Sequence, residues 1–197
     1  MTGSTGDTRS RIQQVALGLF TEQGYEKTSL REIAEQLGVT KAALYYHFKS
    51  KDDIVDSFVS DRLARLDELI DWAMQQPADT AGRRATLQRY AEEFFDSGGQ
   101  AVMRFFEQNP TVTRKLSSGQ MIRERLLRIA DALAGPDPSP NDQLRATLAL
   151  FAVHGSLFAL RRPDLSTEQR QRLALEVAYE LLDGIGTTST PEPGADR

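Results

Sequence analysis

The sequence of 197 residues predicts an all-α protein, with an N-terminal head of three helices and a C-terminal domain of about six helices. Two observations carry this prediction. Apolar residues recur at spacings of three and four along most of the chain, which is the period of an amphipathic helix. Runs of alternating β-branched residues, which would indicate strands, are absent from the sequence.

The composition narrows the class of protein. Hydrophobic residues make up 40% of the chain and charged residues 26%, which is ordinary for a globular protein. Without cysteine, neither disulfides nor thiolate zinc sites can form. No apolar run approaches the roughly 20 residues that span a bilayer, and the polar N-terminus lacks the apolar core of a signal peptide. We therefore expect a cytoplasmic protein with no membrane segment, no cofactor and no metal.

The head contains three predicted helices, over residues 9–23, 30–37 and 41–47. Ser29 and Glu32 have the spacing of a capping box at the start of the second helix. Gly38 ends that helix, and Thr40 caps the third.

Six further helices follow, over about residues 51–76, 80–96, 100–108, 117–134, 142–161 and 167–184. Pro77 and the segments rich in glycine and proline at 97–99 and 135–140 separate them. The expected organisation has four parts: a disordered arm over 1–8, a DNA-binding domain over 9–52, a ligand-binding and dimerisation domain over 53–185, and a disordered tail over 186–197.

Two short helices joined by a turn that contains glycine are typical of a helix-turn-helix. In the second of them, Leu44 faces inward, so that Tyr45, Tyr46 and Lys41 lie on the outside or at its margin. Lys41 has the reach to contact a guanine or a phosphate, and the methyl groups of two alanines suit thymine methyls. The alternative is that the tyrosines are ordinary packing residues of a small helical domain.

Charge is distributed unevenly along the chain. The net charge is −4, yet residues 1–51 carry seven basic and five acidic side chains, for a net +2, and the remainder carries −6. A mildly basic head on an acidic body permits DNA binding without requiring it.

The stretch TSLREIAEQLGVTKAALYYHFKSK, at residues 28–51, resembles the TetR family of bacterial repressors, and the resemblance extends over residues 9–56. It implies a three-helix DNA-binding head on a larger helical domain that binds a ligand and dimerises. It also implies a set of DNA contacts: Thr28, Ser29, Arg31, Thr40, Lys41, Ala42, Ala43, Tyr45, Tyr46, His47 and Lys51. Ala42 and Ala43 depart from family members with longer polar side chains at these positions, so the operator sequence is not identified.

The eighth predicted helix is apolar almost all round, which requires burial on two sides. Small residues recur on it at spacings of three and four and would let a partner helix approach closely. These small residues, together with an apolar row on the ninth helix, predict a homodimer interface. Its members are Ala149, Ala152, Ser156, Ala159, Leu173, Val177 and Leu181. The alternative is a monomeric bundle with a buried final hairpin.

Large, soft side chains are concentrated in the middle of the chain, and they predict an apolar ligand pocket. Its candidate lining is Trp72, Tyr90, Phe94, Met103, Phe106, Met121, Phe151, His154 and Phe158. The alternative for each residue is plain core packing. His154 suits a core, a ligand or an interface role.

The function that these patterns favour is a homodimeric repressor on double-stranded operator DNA, released by a small and apolar effector. A ligand-independent regulator or activator is the alternative. A helical enzyme is disfavoured, because the only two histidines are far apart in sequence and neither a phosphate loop nor a Gly-x-Ser-x-Gly element is present.

Overall fold

The computed structural model describes residues 5–110, 112 and 118–186. Within these ranges it contains only helices, which confirms the all-α prediction. None of the helices in this part of the chain combines the length and apolarity needed to cross a bilayer. The helices are α1 Thr5–Glu22, α2 Leu30–Leu37, α3 Lys41–His47, α4 Lys51–Ala73, α5 Thr80–Phe95, α6 Ser97–Gln108, α7 Ser118–Ala134, α8 Pro140–Ala159 and α9 Thr167–Asp183.

The two ends of the chain differ from the expected arm and tail. Helix α1 begins at Thr5, so the prediction of disorder is wrong for residues 5–8, where Asp7 lies in the first turn and favours the helix N-terminus. Gly186 is also ordered, since its N–H donates to Asp142 Oδ1 at 3.0 Å. Residues 1–4 and 187–197 lie outside the described residues.

Side-chain caps explain two helix starts that the sequence placed too late. Asp96 caps α6 by accepting a hydrogen bond from the Gly99 amide, so the helix starts before the glycine pair rather than after it. Ser139 and Asp142 form a reciprocal capping box at α8, with Pro140 in the first helical position.

The chain divides into two compact units. Of the described residues, the head unit comprises those up to 65 and those from 96 to 122, and the body unit comprises those from 66 to 95 and from 123 onward. The head unit is therefore larger than the predicted domain of 9–52, because it includes the first part of α4 and all of α6.

Aromatic packing accounts for the place of α6 in the head unit. Phe105 is fully buried, with its ring centroid 5.7 Å from that of Phe20 and 5.4 Å from that of Phe58. Val102 of the same helix is buried in the same core. Helix α6 thus supplies part of the core on which the first three helices rest.

In the body unit, α8 and α9 form the most extensive contact between any two helices, and α5 packs against α9. Small buried residues allow the close approach of these helices, among them Ala146 and Ala149 of α8 and Ala174 and Ala178 of α9. The core between the helices includes Leu66, Leu69, Ile70, Leu87, Tyr90, Phe94, Ile129, Leu133, Val153 and Leu182.

Candidate nucleic-acid interface

Helices α2 and α3 are joined by a turn with a fixed geometry. At the start of α2, the Ser29 amide donates to Glu32 Oε2 at 2.7 Å and the Glu32 amide donates to Ser29 Oγ at 3.2 Å. At its end, Gly38 adopts φ +72°, and the Val39 amide donates to the Ala34 carbonyl at 3.0 Å. Both ends of α2 are therefore capped locally, as the sequence predicted.

Helix α3 is anchored by two apolar side chains. Thr40 Oγ1 accepts from the Ala43 amide at 3.2 Å, and Leu44 is completely buried. Phe48, the residue after the helix, is buried as well, and the Arg9 guanidinium lies 4.8 Å from its ring centroid. The inward side of α3 is thus fixed, and its other side is free to meet a partner.

The outer face of α3 combines a cation, methyl groups and aromatic rings. Lys41, Ala42 and Ala43 are exposed, and Tyr46 is 76% exposed. The Lys41 ammonium lies 5.4 Å from the Tyr45 ring centroid. Such a face suits a DNA groove, because the methyls and the cation reach base edges while phenol hydroxyls donate to phosphates.

Ser29 and Arg31 occupy the exposed start of α2. The Ser29 hydroxyl is engaged in the capping box, so that its role is to fix the helix start. The Arg31 guanidinium donates to Glu35 at 2.7 Å, with both side chains mostly exposed to solvent. An exposed ion pair of this kind is weak, and a phosphate can replace the carboxylate.

Thr28 does not belong to the DNA-facing set, and its prediction as a contact is wrong. Its side chain is only 2% exposed. Its hydroxyl donates to the Gly24 carbonyl at 2.9 Å and accepts from Gln23 Nε2 at 3.3 Å. The physical reason is that the chain leaves α1 with unpaired carbonyl groups, and Thr28 satisfies one of them.

Lys51 ties the start of α4 to the turn after α1. Its ammonium donates to the Tyr25 carbonyl at 2.6 Å and lies 4.4 Å from the Tyr25 ring centroid. The Tyr25 hydroxyl donates to Asp52, and burial followed by this hydrogen bond raises the pKa of Tyr25. Sequence reasoning missed this cluster, since only tertiary structure brings residues 25 and 51 together.

Comparison with known proteins decides the family. The family model for bacterial regulatory proteins of the tetR family matches residues 12–58. The HTH-type transcriptional regulator TcmR of Streptomyces glaucescens is 30% identical over 189 residues, which cover 88% of this chain and 80% of that protein. The chain belongs to the TetR family. It is a DNA-binding transcriptional regulator and not an enzyme.

Other members are similar over shorter or more divergent stretches. The regulator AcrR of Shigella flexneri is 54% identical, but over 48 residues that cover 24% of this chain and 22% of AcrR. Among solved structures, a regulator of Aquifex aeolicus VF5 has a TM-score of 0.69 at 20% identity, covering 86% of this chain and 96% of that one. At this identity the structural likeness supports the TetR fold alone.

The predicted ligand-pocket residues of this TetR-family member are divided between the two units. Met103, Phe106 and Met121 lie in the head unit, where the Phe106 ring packs 5.3 Å from that of Phe105. Phe106 packs against the head core, so these three residues are grouped apart from the other predicted pocket residues, and their place in a ligand pocket stays a prediction. In the body unit, Trp72 lies beneath the Arg89 guanidinium at 4.8 Å, and Phe158 is exposed.

Four of the predicted pocket residues do cluster in the body unit. The Tyr90 hydroxyl is hydrogen-bonded to His154 Nε2. The His154 ring lies 4.8 Å from that of Phe94 and 6.4 Å from that of Phe151. The imidazole is half-buried and held by a buried phenol, so its orientation is fixed.

The predicted dimer residues fall into two groups. Ala149 and Ser156 are buried by their own chain, and the Ser156 carbonyl accepts from Arg170 of α9 at 3.3 Å. Their assignment to the subunit interface is wrong, because their small size serves the contact between α8 and α9 within one chain. Ala159, Leu173 and Val177 are exposed, whereas Ala152 and Leu181 are half-buried.

A different face of α8 is exposed and apolar. It consists of Leu144, Leu148, Phe151 and Phe158, which we call the α8 stripe. Spacings of four, three and seven residues place all four on one side of the helix. The sequence did not indicate this face, since a helix that is apolar all round has no visible inner or outer side.

Proposed function

We propose that this TetR-family protein is a homodimeric cytoplasmic repressor that binds double-stranded operator DNA and is released by a small, apolar effector. The observation that carries the DNA-binding part is the exposed outer face of α3, held on a frame capped at both ends. Exposed aromatic rings on a seven-residue helix are unfavourable in water, and they lose this exposure when the helix enters the major groove of DNA.

The order of side chains along α3 supports insertion of its N-terminal half. Lys41, Ala42 and Ala43 come first and face base edges, and Tyr46 and His47 follow at the level of the backbone. Two small residues in the base-reading positions leave methyl contacts and one cation to select the sequence. We therefore expect an operator that is read by few direct hydrogen bonds.

The α8 stripe supports the homodimer. Leu173 and Val177 are exposed apolar residues as well, and they belong to α9, the helix with which α8 makes its largest contact. A contiguous apolar face of this kind is typical of an interface with another protein. Pairing of two copies about a two-fold axis covers the stripe on both and provides two recognition helices for two half-sites.

Release by an effector requires a route from the body unit to the head unit. Helix α4 contributes residues to both units, with the division after Arg65, and it begins at Lys51, which is hydrogen-bonded to the Tyr25 carbonyl. An effector that binds the body unit changes operator affinity only if it binds the two states unequally. We assign α4 the role of the element whose position differs between these states.

A gel-shift titration with the DNA upstream of the protein's own gene tests the proposal. Tyr46→Ala removes the most exposed ring of α3, and we expect operator affinity to fall about tenfold, in line with one lost phosphate contact. Met74→Ala is the matched control, because Met74 is an apolar residue that is 70% exposed and belongs to the body unit. Equal affinity of wild type and Tyr46→Ala would contradict the assignment of α3.

A further inference from the structure

A half-open groove of about 380 Å³ lies between α7 and α8 in the body unit. Its walls are apolar, formed by Leu126, Leu127 and Ala130 of α7 and by Leu150 and Phe151 of α8. The volume falls in the range of small-molecule sites, which are mostly apolar with a few polar groups that fix orientation. The groove thus fits one compact ring system or a short acyl chain.

Three polar side chains complete the lining: Arg123, Thr147 and His154. Thr147 Oγ1 donates to the Gln143 carbonyl at 2.8 Å, so the hydroxyl can still accept a hydrogen bond but has no second proton to donate. His154 Nε2 is engaged by Tyr90. Neither group brings a permanent charge to the groove.

Arg123 is the permanent charge of the lining. It stands at the start of the body unit's part of α7, and its side chain is exposed. Its guanidinium forms no ion pair with any residue of 5–110, 112 or 118–186, whereas Arg125 and Arg128 of the same helix both pair with Asp67. A cation that faces an apolar groove without an acidic partner favours anions and repels cations.

We propose that this groove binds a small apolar monoanion, an aromatic or aliphatic acid whose charge meets Arg123 and whose hydrocarbon part lies between α7 and α8. The inference rests on the proposed function and deepens it by giving the effector a chemical class. Charge complementarity sets the orientation of the ligand: its acidic group lies at the mouth of the groove, and its apolar end points toward Leu150 and the fixed His154 ring.

Two fluorescent probes that differ only in charge test the proposal on the full-length protein. 8-Anilinonaphthalene-1-sulfonate carries a sulfonate, and N-phenyl-1-naphthylamine has the same ring system without it. Arg123→Gln should weaken binding of the sulfonate about fivefold, the usual size of one partly exposed ionic contact, and leave binding of the neutral probe unchanged. Arg128→Gln, on the same helix but outside the lining, should change neither probe.

A second variant locates the probes. Thr147→Trp places an indole in the groove and should weaken both probes about tenfold or more, with thermal melts confirming that the variant is folded. Unchanged sulfonate binding in Arg123→Gln overturns the proposal. Unchanged binding of both probes in Thr147→Trp also overturns it, and means that the probes sit elsewhere or that a partner subunit fills the groove.

Operator binding is measured on the same samples and separates the two proposals. A wild-type protein that binds the probes as predicted but ignores its upstream DNA contradicts the proposed function and not the chemistry of the groove. A protein that binds the operator but fails the probe tests contradicts the groove assignment alone.

Discussion

Helices α3 and α8 both expose aromatic rings, yet their exposed faces differ in kind. On α3 every ring carries a polar atom, and Lys41 stands beside them. On the α8 stripe no side chain carries a polar atom, and Phe151 and Phe158 are 59% and 57% exposed. Exposed aromatic area alone therefore does not identify a partner, whereas the polar atoms at the ring edges do.

The physical basis of this difference is how much water each face must lose when it binds a partner. A phenol can keep one hydrogen bond to a phosphate while its ring covers a sugar, so α3 needs only partial desolvation. Leucine and phenylalanine gain only by leaving water, so the α8 stripe requires a surface that covers it fully. A hydrated polyanion suits the first face, and a second protein surface suits the other.

The largest effect is expected at the α8 stripe. Phe158→Asp places a charge within the proposed dimer interface, and we expect the dimer dissociation constant to rise about a hundredfold. Sedimentation equilibrium measures it. Met74→Asp makes a similar change at an exposed residue outside the stripe and should leave dimerisation intact. A Phe158→Asp protein that remains dimeric would remove the distinction between the two faces.

The two units differ in why each needs a glycine at one position. A Cβ at Gly82 of α5 would overlap the Pro77 carbonyl oxygen, so Gly82→Ala should destabilise the body unit by about 2 kcal/mol or more. A Cβ at Gly38 meets nothing within 4 Å, and only its φ of +72° opposes a side chain, so Gly38→Ala should cost about 1 kcal/mol. Urea unfolding measures both, and a larger loss for Gly38→Ala would contradict this ranking.

A smaller effect is expected for the ionic contribution of Lys41 to DNA binding. A cation placed in the groove displaces counterions from the nearby phosphates, so Lys41→Gln should reduce the slope of log affinity against log salt by up to about one ion. Arg172→Gln, an exposed cation of the body unit, is the control and should leave the slope unchanged. A slope that is the same in all three proteins would contradict the placement of Lys41 in the groove.

The smallest effect concerns the pH dependence of the hydrogen-bonded cluster of Tyr25, Lys51 and Asp52. Burial, followed by the hydrogen bond to Asp52, raises the pKa of Tyr25 above its ordinary value of 10.0. The folded state then holds a proton that the unfolded chain releases, so this stabilisation is present below pH 10 and is lost as the pH rises further. Tyr25→Phe should make the alkaline loss of stability shallower by up to about one proton equivalent. Denaturant unfolding across this range, with Tyr46→Phe as the exposed control, measures the difference.

Local chemistry made some of the fold predictable. Helices α2 and α3 have the bounds that the sequence indicated, because Ser29, Glu32, Gly38 and Thr40 act within three or four residues of themselves. The exposed α3 set followed from the same local geometry. The capping residues Asp96 and Ser139 are equally local, but the glycine and proline residues beside them indicate breaks and conceal the helix starts.

Other features depend on contacts that are distant in sequence. Thr28 is buried because α1 ends beside it, and α6 joins the head core because Phe105 fits among rings from α1 and α4. For α8, apolar residues on all sides conceal which side packs inward, and the buried side proves to include Ala146, Ala149 and Ser156. Sequence periodicity gives the presence of such a helix but not its rotation about its own axis.

Phe151 belongs both to the α8 stripe and to the wall of the groove beside Arg123. One ring cannot pack fully against both a ligand and a partner subunit, so the ligand binding and the dimerisation that we propose would be thermodynamically linked through Phe151. Such linkage is reciprocal: whatever the ligand does to subunit affinity, subunit association does to ligand affinity by the same factor. The apparent potency of an effector should then shift with the cellular abundance of the regulator itself.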